Sequence, residues 1–552
     1  MKNLLKKIRS YPALIRRKIE SWSNQKKLER IANDAAVPAA PRAKILFGPS
    51  FSIHHTQKIH DILLSAALTG RGAKLAYLSA PFGLPICKDC ANIAQIHKPD
   101  GLYCQFCQRF QRNSDNLIEY VKKYAEIFRP ENFVKQIDMT EFTEQIKNLS
   151  ENELRDFSQD GVPLGSYALN ILRNLEYVGD EKLIPNYLED LRKIVVTQMI
   201  YYQYFKEAIL AFKPGIIVSH DAFYSPWRIL YDLAKQHNIP FYNYYPGMRQ
   251  NTFHFVKDRI SMLLNADELF EKWKNKKIKD DKISVLDKML AERKQGKIYK
   301  GTMIWKDDEK ERNKFDAFVS SGKPMAGLYS NVLWDLAALD REVVFDSVNE
   351  TFLETIRFFA DHPQYNLVIK PHPDELHAVH TAREKLTDLI TSAFPTLPEN
   401  ILILYPKSSI TAYDLAPKTN VSIVYTTTVG IESAMIGTPT IVLGDVYYRG
   451  KGFTYDPQTP QEFFSTLEKL LSSRDEKTQV IHRELARKYY YLSFFVYYHD
   501  YDVIKFDMHG KITIKPKNLE ELLKRKDFMK IVDSIMANEP IPYFDEGIEA
   551  NV

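Results

Sequence analysis

The sequence predicts an α/β protein of two Rossmann-like lobes facing a cleft, with an insertion in the first lobe and a basic helical arm in front. Three observations predict it. Short apolar strands, each followed by a polar loop and a helix-period segment, occur in two separate series. A charged, helix-rich stretch lies between them. The 552 residues exceed what one domain of roughly 150 residues needs. With 45% apolar and 26% charged residues the chain is globular, which excludes wholesale disorder. Its 32 Tyr and 31 Phe suit large cores or ring-lined clefts. No run approaches the roughly 20 apolar residues of a membrane-spanning helix, which excludes an integral helical membrane protein.

The arm comes first, at residues 1–40. Residues 1–30 hold ten Lys and Arg against Glu20 and Glu29, so the net charge of +5 is a local feature and the rest of the chain is slightly acidic. A broad basic surface for a nucleic-acid polymer is therefore not expected. Ile8, Tyr11, Ile15, Ile19 and Trp22 recur at steps of three and four, one apolar stripe flanked by Lys6, Lys7, Arg9, Arg16, Arg17 and Lys18. Such a helix can lie on an anionic membrane surface through residues 1–30, or pack on its own protein with a solvated basic face. The apolar stretch is too broken for a secretory signal, so the expected location is cytoplasmic, with the inner face of the membrane as the place the arm would hold it.

The first lobe is read over 41–265. Lys44–Gly48 is a buried strand, 49–55 its loop with Ser50, His54 and His55, and 57–70 a helix. Lys74–Ser79 is the next strand. Four cysteines follow as Cys87-Lys-Asp-Cys90 and Cys104-Gln-Phe-Cys107, the only ones in the chain. Two C-x-x-C knuckles can close a tetrahedron of thiolates around structural Zn²⁺, with His97 as a substitute ligand. Disulfides, or a chance group of buried thiols, are the competing readings. Residues 115–210 are mostly helical, with Asp160 and Arg173 as candidate acceptor contacts. The strand pattern resumes at Pro214–Asp221. It places His220 and Asp221 at a strand's carboxyl end, where parallel sheets carry working groups. A helix over 225–236, the strand Ile239–Asn243 and the segment ending at Arg249 complete the lobe.

Residues 266–318 read as a helical connection, and 319–485 as the second lobe. Its strands are Met325–Asn331, Asn366–Lys370, Asn400–Leu404, Ser422–Tyr425 and Thr440–Gly444, with a helix over 346–361. Thr426-Thr427-Thr428-Val429-Gly430 lies between a strand and a helix, an arrangement anions favour, because backbone N–H groups and the helix dipole point at the ligand. Gly430 would permit close backbone approach, and Glu432 could receive ribose hydroxyls. Lys370 and His372 leave a neighbouring strand end, and Arg449 and Lys451 lie in a glycine-flanked loop. Each has a structural alternative: His372 can lock a proline turn, Arg449 can pair with Asp445 or Asp456, and Thr or Gly can simply cap a helix. Residues 486–552 read as closing helices and a tail.

These residues carry a resemblance. Val368-Ile-Lys-Pro-His-Pro-Asp-Glu375, Tyr425–Gly444 and Tyr448-Arg-Gly-Lys-Gly-Phe-Thr454 resemble bacterial capsule polysaccharide biosynthesis proteins, which are similar to capsular and lipopolysaccharide Kdo-transferases. Ser219–Trp227 and Gly247–Phe253 resemble the same family more loosely. The resemblance implies the two-lobed glycosyltransferase fold called GT-B. It also implies a nucleotide-sugar donor on the second lobe and a polysaccharide or glycolipid acceptor on the first. The family's His-Pro element falls on His372 and Pro373, and its hydroxyl-Gly element on Thr426–Gly430. A CMP-linked, Kdo-like donor is suggested, with UDP and GDP donors open.

The expected chemistry is glycosyl transfer without a catalytic metal. Lys370, His372, Thr426–Thr428, Gly430, Arg449 and Lys451 would stabilise the departing phosphate, and Asp221 or His220 would serve as base, or Asp221 as nucleophile. Ser50, His54, His55, Arg173 and Arg249 are candidate acceptor contacts. The alternatives are a sugar-nucleotide 2-epimerase of similar fold and a non-catalytic scaffold of capsule assembly or export.

Overall fold

Sixteen strands can be followed among the described residues of the chain. They begin with β1 (Ala43–Phe47), β2 (Ala73–Leu78), β3 (Ala125–Phe128), β4 (Ile216–Ser219), β5 (Phe241–Pro246) and β6 (Thr252–Lys257). The two-residue β7 (Lys297–Ile298) and β8 (Gly301–Thr302) form a small hairpin. Next come β9 (Met325–Tyr329), β10 (Asn366–Lys370), β11 (Ile401–Ile403), β12 (Val421–Val424) and β13 (Thr440–Val442). The last are β14 (Tyr498–Asp500), β15 (Ile504–Phe506) and β16 (Ile512–Ile514). The structure is a computed structural model that describes residues 23–49, 55–79, 118–130, 133, 139–247, 249, 251–298, 301–302, 305–335, 340–376, 382–473, 475–500, 502–506 and 512–543. The arm up to Trp22 and all four cysteines with His97 lie outside these residues.

Contacts divide the chain into two units. The first gathers the described residues up to Ile171, Leu188–Met262 and those from Tyr497 to Tyr543. The second gathers Leu172–Tyr187 and Leu263–Val496. The linear division at 265 and 318 is therefore not the division made by packing. The stretch read as a connection, with helices Asp267–Trp273, Asp280–Lys294 and Glu309–Ser320, groups with the second unit. A short segment of the amino-terminal half does so too.

The first unit is built on a sheet of order β14-β6-β5-β4-β1-β2-β3. Its members β3, β2, β1, β4 and β5 are parallel, with Ile45 opposite both Leu75 and Ile216. β6 and β14 extend it antiparallel. Near-continuous apolar strands such as Ile216-Ile217-Val218 are what a sheet covered on both faces requires. The helix His55–Gly70 buries Ile59, Ile62, Leu63 and Leu64 against it. The same core takes Leu28, Ile31 and Ala32 from the helix 23–34, and Phe528, Ile531, Val532 and Ile535 from Lys526–Ala537. Residues far apart in sequence thus close one core.

The second unit has five parallel strands in the order β11-β10-β9-β12-β13. Leu328 and Ile369 meet Phe352, Ile356 and Phe359 of helix Val348–Asp361, which Ser347 caps through the Glu350 N–H. No helix among the described residues is long and apolar enough to cross a membrane.

Three buried histidines of the first unit are held neutral. Burial pulls His60 down to about 4, His254 to about 3 and His499 to about 4. His60 sits among the rings of Tyr244, Phe253 and Phe255, while His254 Nδ1 lies 2.8 Å from the Ser261 carbonyl. Below about pH 6.5 the unfolded chain protonates these rings, while the folded chain waits until about pH 4 or lower. The unfolded state then binds more protons, so stability falls as pH drops through that window. Urea unfolding of the first unit's signal at pH 7, 6, 5 and 4 is expected to show that loss. His60→Phe, which keeps a ring in an aromatic pocket, is expected to make the loss shallower.

Candidate functional site

In both sheets the first strand of the series lies inside, with the second strand on one side and the fourth on the other. The crossovers therefore leave in opposite directions between β1 and β4, and again between β9 and β12. Open parallel sheets bind ligands in the crevice that this reversal creates at the strand carboxyl ends.

In the second unit three loops reach that place. β9 runs into Ser330-Asn331, β10 into Pro371-His372, and β12 into Tyr425-Thr426-Thr427-Thr428 at the start of helix Val429–Ile436. The loops are tied together. The Thr426 N–H donates to Asn331 Oδ1 at 3.1 Å, and the His372 N–H donates to Ser330 Oγ at 2.9 Å. His372 Nδ1 accepts from the Asp374 N–H at 3.1 Å, so its proton rides on Nε2, and burial keeps the ring neutral by lowering its pKa. Thr428 occupies the N-cap position with no side-chain capping bond. The arrangement offers hydroxyls, amides, a neutral imidazole and a helix amino terminus, a set suited to phosphate oxygens. Sequence reasoning named His372 and the threonines. It missed Ser330 and Asn331, whose signal was their place after the first strand of the series.

The cations and the acid assigned to this site are engaged elsewhere. Lys370 is 5% exposed, and its Nζ donates to the carbonyls of Tyr405, Pro406 and Ser408 at 3.2, 3.1 and 3.4 Å. Burial brings its pKa down to about 8. Arg449 donates through Nη1 to the Val442 carbonyl and through Nη2 to that of Pro457, fastening its own loop to the end of β13. Lys451 pairs with Asp267 at 2.8 Å. Glu432 is 1% exposed, bound by Arg293 at 2.6 Å and the Tyr413 hydroxyl at 2.8 Å, so it is a buried ion-pair member and not a ribose ligand. Gly430 also has a different reason to be glycine. A Cβ there would stand 2.3 Å from Tyr448 Oη and 2.8 Å from Val424 Cγ2. The hydroxyl it would strike donates to the Thr427 carbonyl at 2.5 Å.

In the first unit the reversal lies between Gly48 and His220-Asp221. The Gly48 N–H donates to the Val218 carbonyl at 2.8 Å, and a Cβ at Gly48 would come within 2.6 Å of Ser219 Oγ. His220 and Asp221 are each 2% exposed. Asp221 Oδ1 accepts the N–H groups of Ala222 and Phe223 at 2.6 and 2.7 Å. That oxygen holds the loop, as aspartates after a strand commonly do, and does not await a substrate. His220 lies edge-on to Trp227, with ring centroids 4.7 Å apart. Its Nδ1 is 3.8 Å from Oδ2 of Asp61, on helix His55–Gly70. Sequence reasoning passed over Asp61, although a His60-Asp61 pair inside an apolar helix was a visible signal.

The remaining candidates do not join this place. Arg173 binds Glu181 through Nε and Nη2, within the second unit. Asp160 accepts from the Tyr202 hydroxyl at 2.5 Å and Lys206 at 2.7 Å. Arg249 reaches the Tyr498 carbonyl at 3.5 Å. His55 begins its helix, and Ser50 and His54 lie outside the described residues.

Residues 266–500 match the family described as "Capsule polysaccharide biosynthesis protein". That is the family the sequence resembles. The matched segment holds every second-unit strand and all three loops at its reversal. Among solved structures, the Thermosulfurimonas dismutans KpsC beta Kdo 2,4 transferase is 13% identical, covering 56% of this chain and 87% of that one, with a TM-score of 0.33. The beta Kdo 2,7 transferase of the same KpsC is 14% identical over 51% and 80%, with a TM-score of 0.28. A Neisseria meningitidis UDP-GlcNAc 2-epimerase bound to UDP-GlcNAc is 11% identical over 80% and 95%, with a TM-score of 0.25. Scores this low establish neither a shared arrangement nor a shared activity. No curated protein sequence matches the chain.

In the segment that matches the capsule family model, the Arg293–Glu432 pair is expected to carry stability. Glu432→Ala leaves a guanidinium buried without its carboxylate, and should lower the unfolding free energy by about 3–5 kcal/mol. Gly430→Ala should lower it by about 1–3 kcal/mol through overpacking against Tyr448. Denaturant titration of each variant measures both.

Proposed function

We propose that this chain is a glycosyltransferase of capsule or other surface-polysaccharide assembly. It takes a sugar from a nucleotide-sugar donor whose phosphate is held by the second unit. The observation that carries the reading is the coincidence of three things in residues 266–500. These are the match to the capsule polysaccharide family, the reversal between β9 and β12, and a phosphate-suited set of donors at that reversal. Ser330, Asn331, His372 and Thr426–Thr428 bind the nucleotide phosphate, and the amino terminus of helix Val429–Ile436 adds its partial positive charge. As the bond to the anomeric carbon breaks, negative charge grows on the phosphate oxygens, and the His372 Nε2–H and threonine hydroxyls stabilise it. Lys370, Arg449 and Lys451 act at one remove, by fixing the loops.

The acceptor, a polysaccharide or glycolipid, belongs to the first unit in this reading, with His220 as the group that takes its hydroxyl proton. Asp221 shapes the loop that presents His220. A CMP-linked, Kdo-like donor is the first candidate, and UDP- and GDP-linked sugars are tested beside it. The basic arm would keep the enzyme near membrane-attached acceptors, and the four-cysteine knuckle would hold a structural Zn²⁺.

Thermal denaturation with CMP, UDP and GDP tests the donor site. At 100 times its dissociation constant the matching nucleotide should stabilise the protein by about 2.7 kcal/mol. Thr427→Val with Thr428→Val should abolish that shift while leaving the ligand-free melting temperature within a few degrees. Failure of all three nucleotides to move the transition would end the proposal. Incubating nucleotide-sugars with and without an acceptor glycan separates transfer from epimerisation, because an epimerase converts the donor alone.

A further inference from the structure

The carboxylate beside His220 is not its sequence neighbour. Asp221 turns Oδ1 back onto the N–H groups of Ala222 and Phe223, whereas Asp61 sends Oδ2 to within 3.8 Å of His220 Nδ1. Asp61 is 2% exposed and is itself held, since Oδ1 accepts the Tyr244 hydroxyl at 2.7 Å and Oδ2 that of Tyr77 at 3.4 Å. These partners come from β5 and β2, so the carboxylate is gripped from both sides of the β1–β4 reversal. The edge-on Trp227 ring limits rotation of the imidazole. His60, on the same helix as Asp61, is neutral and packed among aromatic rings. Of the two carboxylates near His220 among the described residues, Asp221 holds the loop and Asp61 faces the imidazole.

We propose that Asp61 is a positioning residue for His220. Its carboxylate holds the imidazole with Nδ1–H turned toward it, which leaves Nε2 as the basic nitrogen. The inference rests on the reading of His220 as the acceptor's base. In the step, the acceptor O–H bond breaks and its proton goes to Nε2. The freed oxygen pair bonds the anomeric carbon, and the bond from that carbon to the phosphate oxygen breaks, its electron pair leaving with the nucleotide. The imidazole becomes cationic as this happens, with the Asp61 carboxylate 3.8 Å from its Nδ1. At 3.8 Å the pair is not hydrogen-bonded at rest, and the proposal requires it to close as the acceptor binds.

The test uses the full chain labelled with ¹⁵N-histidine, the His220 signal being assigned from its absence in His220→Gln. Wild type is expected to show the proton on Nδ1, Asp61→Asn a shift of the proton to Nε2, and Asp61→Glu a return toward wild type. On CMP-, UDP- and GDP-linked sugars with an acceptor glycan, Asp61→Asn is expected to lower kcat on the order of 100-fold with KM little changed. In the His220→Gln background the same substitution should have almost no further effect, because it acts through that ring. A lowered melting temperature with the His220 tautomer unmoved would overturn the proposal, as would equal losses in both backgrounds. If Asp61→Asn does not fold, Tyr244→Phe, which removes the 2.7 Å bond to Asp61, should show a smaller tautomer change in the same direction. Full activity of His220→Gln sinks the base itself. Normal dependence on His220 with none on Asp61 sinks only the present inference.

Discussion

Both units depend on one topological constraint. A parallel sheet in which the chain leaves its first strand toward one side and later returns to that strand's other side must leave a gap where the two paths part. At that gap the strand ends offer backbone groups with no strand beside them. Here the gap falls between β1 and β4 in the first unit and between β9 and β12 in the second. Side chains that bridge it, such as Asn331 to the Thr426 N–H, serve the fold and the site together.

Burial decides which polar residues of such a place stay available. A lysine or arginine taken out of water must regain its hydrogen bonds, and the nearest acceptors are backbone carbonyls and carboxylates. Lys370 finds three carbonyls, Arg449 two, Lys451 an aspartate and Arg293 a glutamate. Neutral hydroxyls and amides pay a smaller desolvation cost, so they can face a ligand without first being neutralised. This favours Ser330, the threonines and His372 as contacts.

The order of strand, loop and helix was legible because apolar runs such as Ile216-Ile217-Val218 and Leu367-Val368-Ile369 are the direct signature of doubly covered parallel strands. β3 was not, since Ala-Glu-Ile-Phe is short and only partly buried. β6 and β14 were hidden because their pairing joins residues near 254 to residues near 498, which no local pattern encodes. The carboxyl ends of the second-unit strands were readable as a candidate site, but the employment of each charge was not. That information lies in contacts such as Arg293 with Glu432 and His220 with Asp61, between helices and loops distant in the chain.

The residues that sequence reasoning gave to the ligand and the structure gives to the scaffold still matter for chemistry. Electrostatic stabilisation of a leaving phosphate works only if the donors are already aimed, since reorienting them during the reaction costs what they would contribute. Helix Val429–Ile436 is fixed one turn in by the Glu432–Arg293 pair. It is seated against Tyr448 because residue 430 has no side chain, and its entry is held by the Tyr448 hydroxyl on the Thr427 carbonyl. The Arg293–Glu432 pair and the Tyr448 side chain therefore set the direction of the N–H groups at Thr427 and Thr428. In the proposed reading, Glu432 and Gly430 need not touch a nucleotide to affect its binding, because they determine where the groups proposed to touch it point.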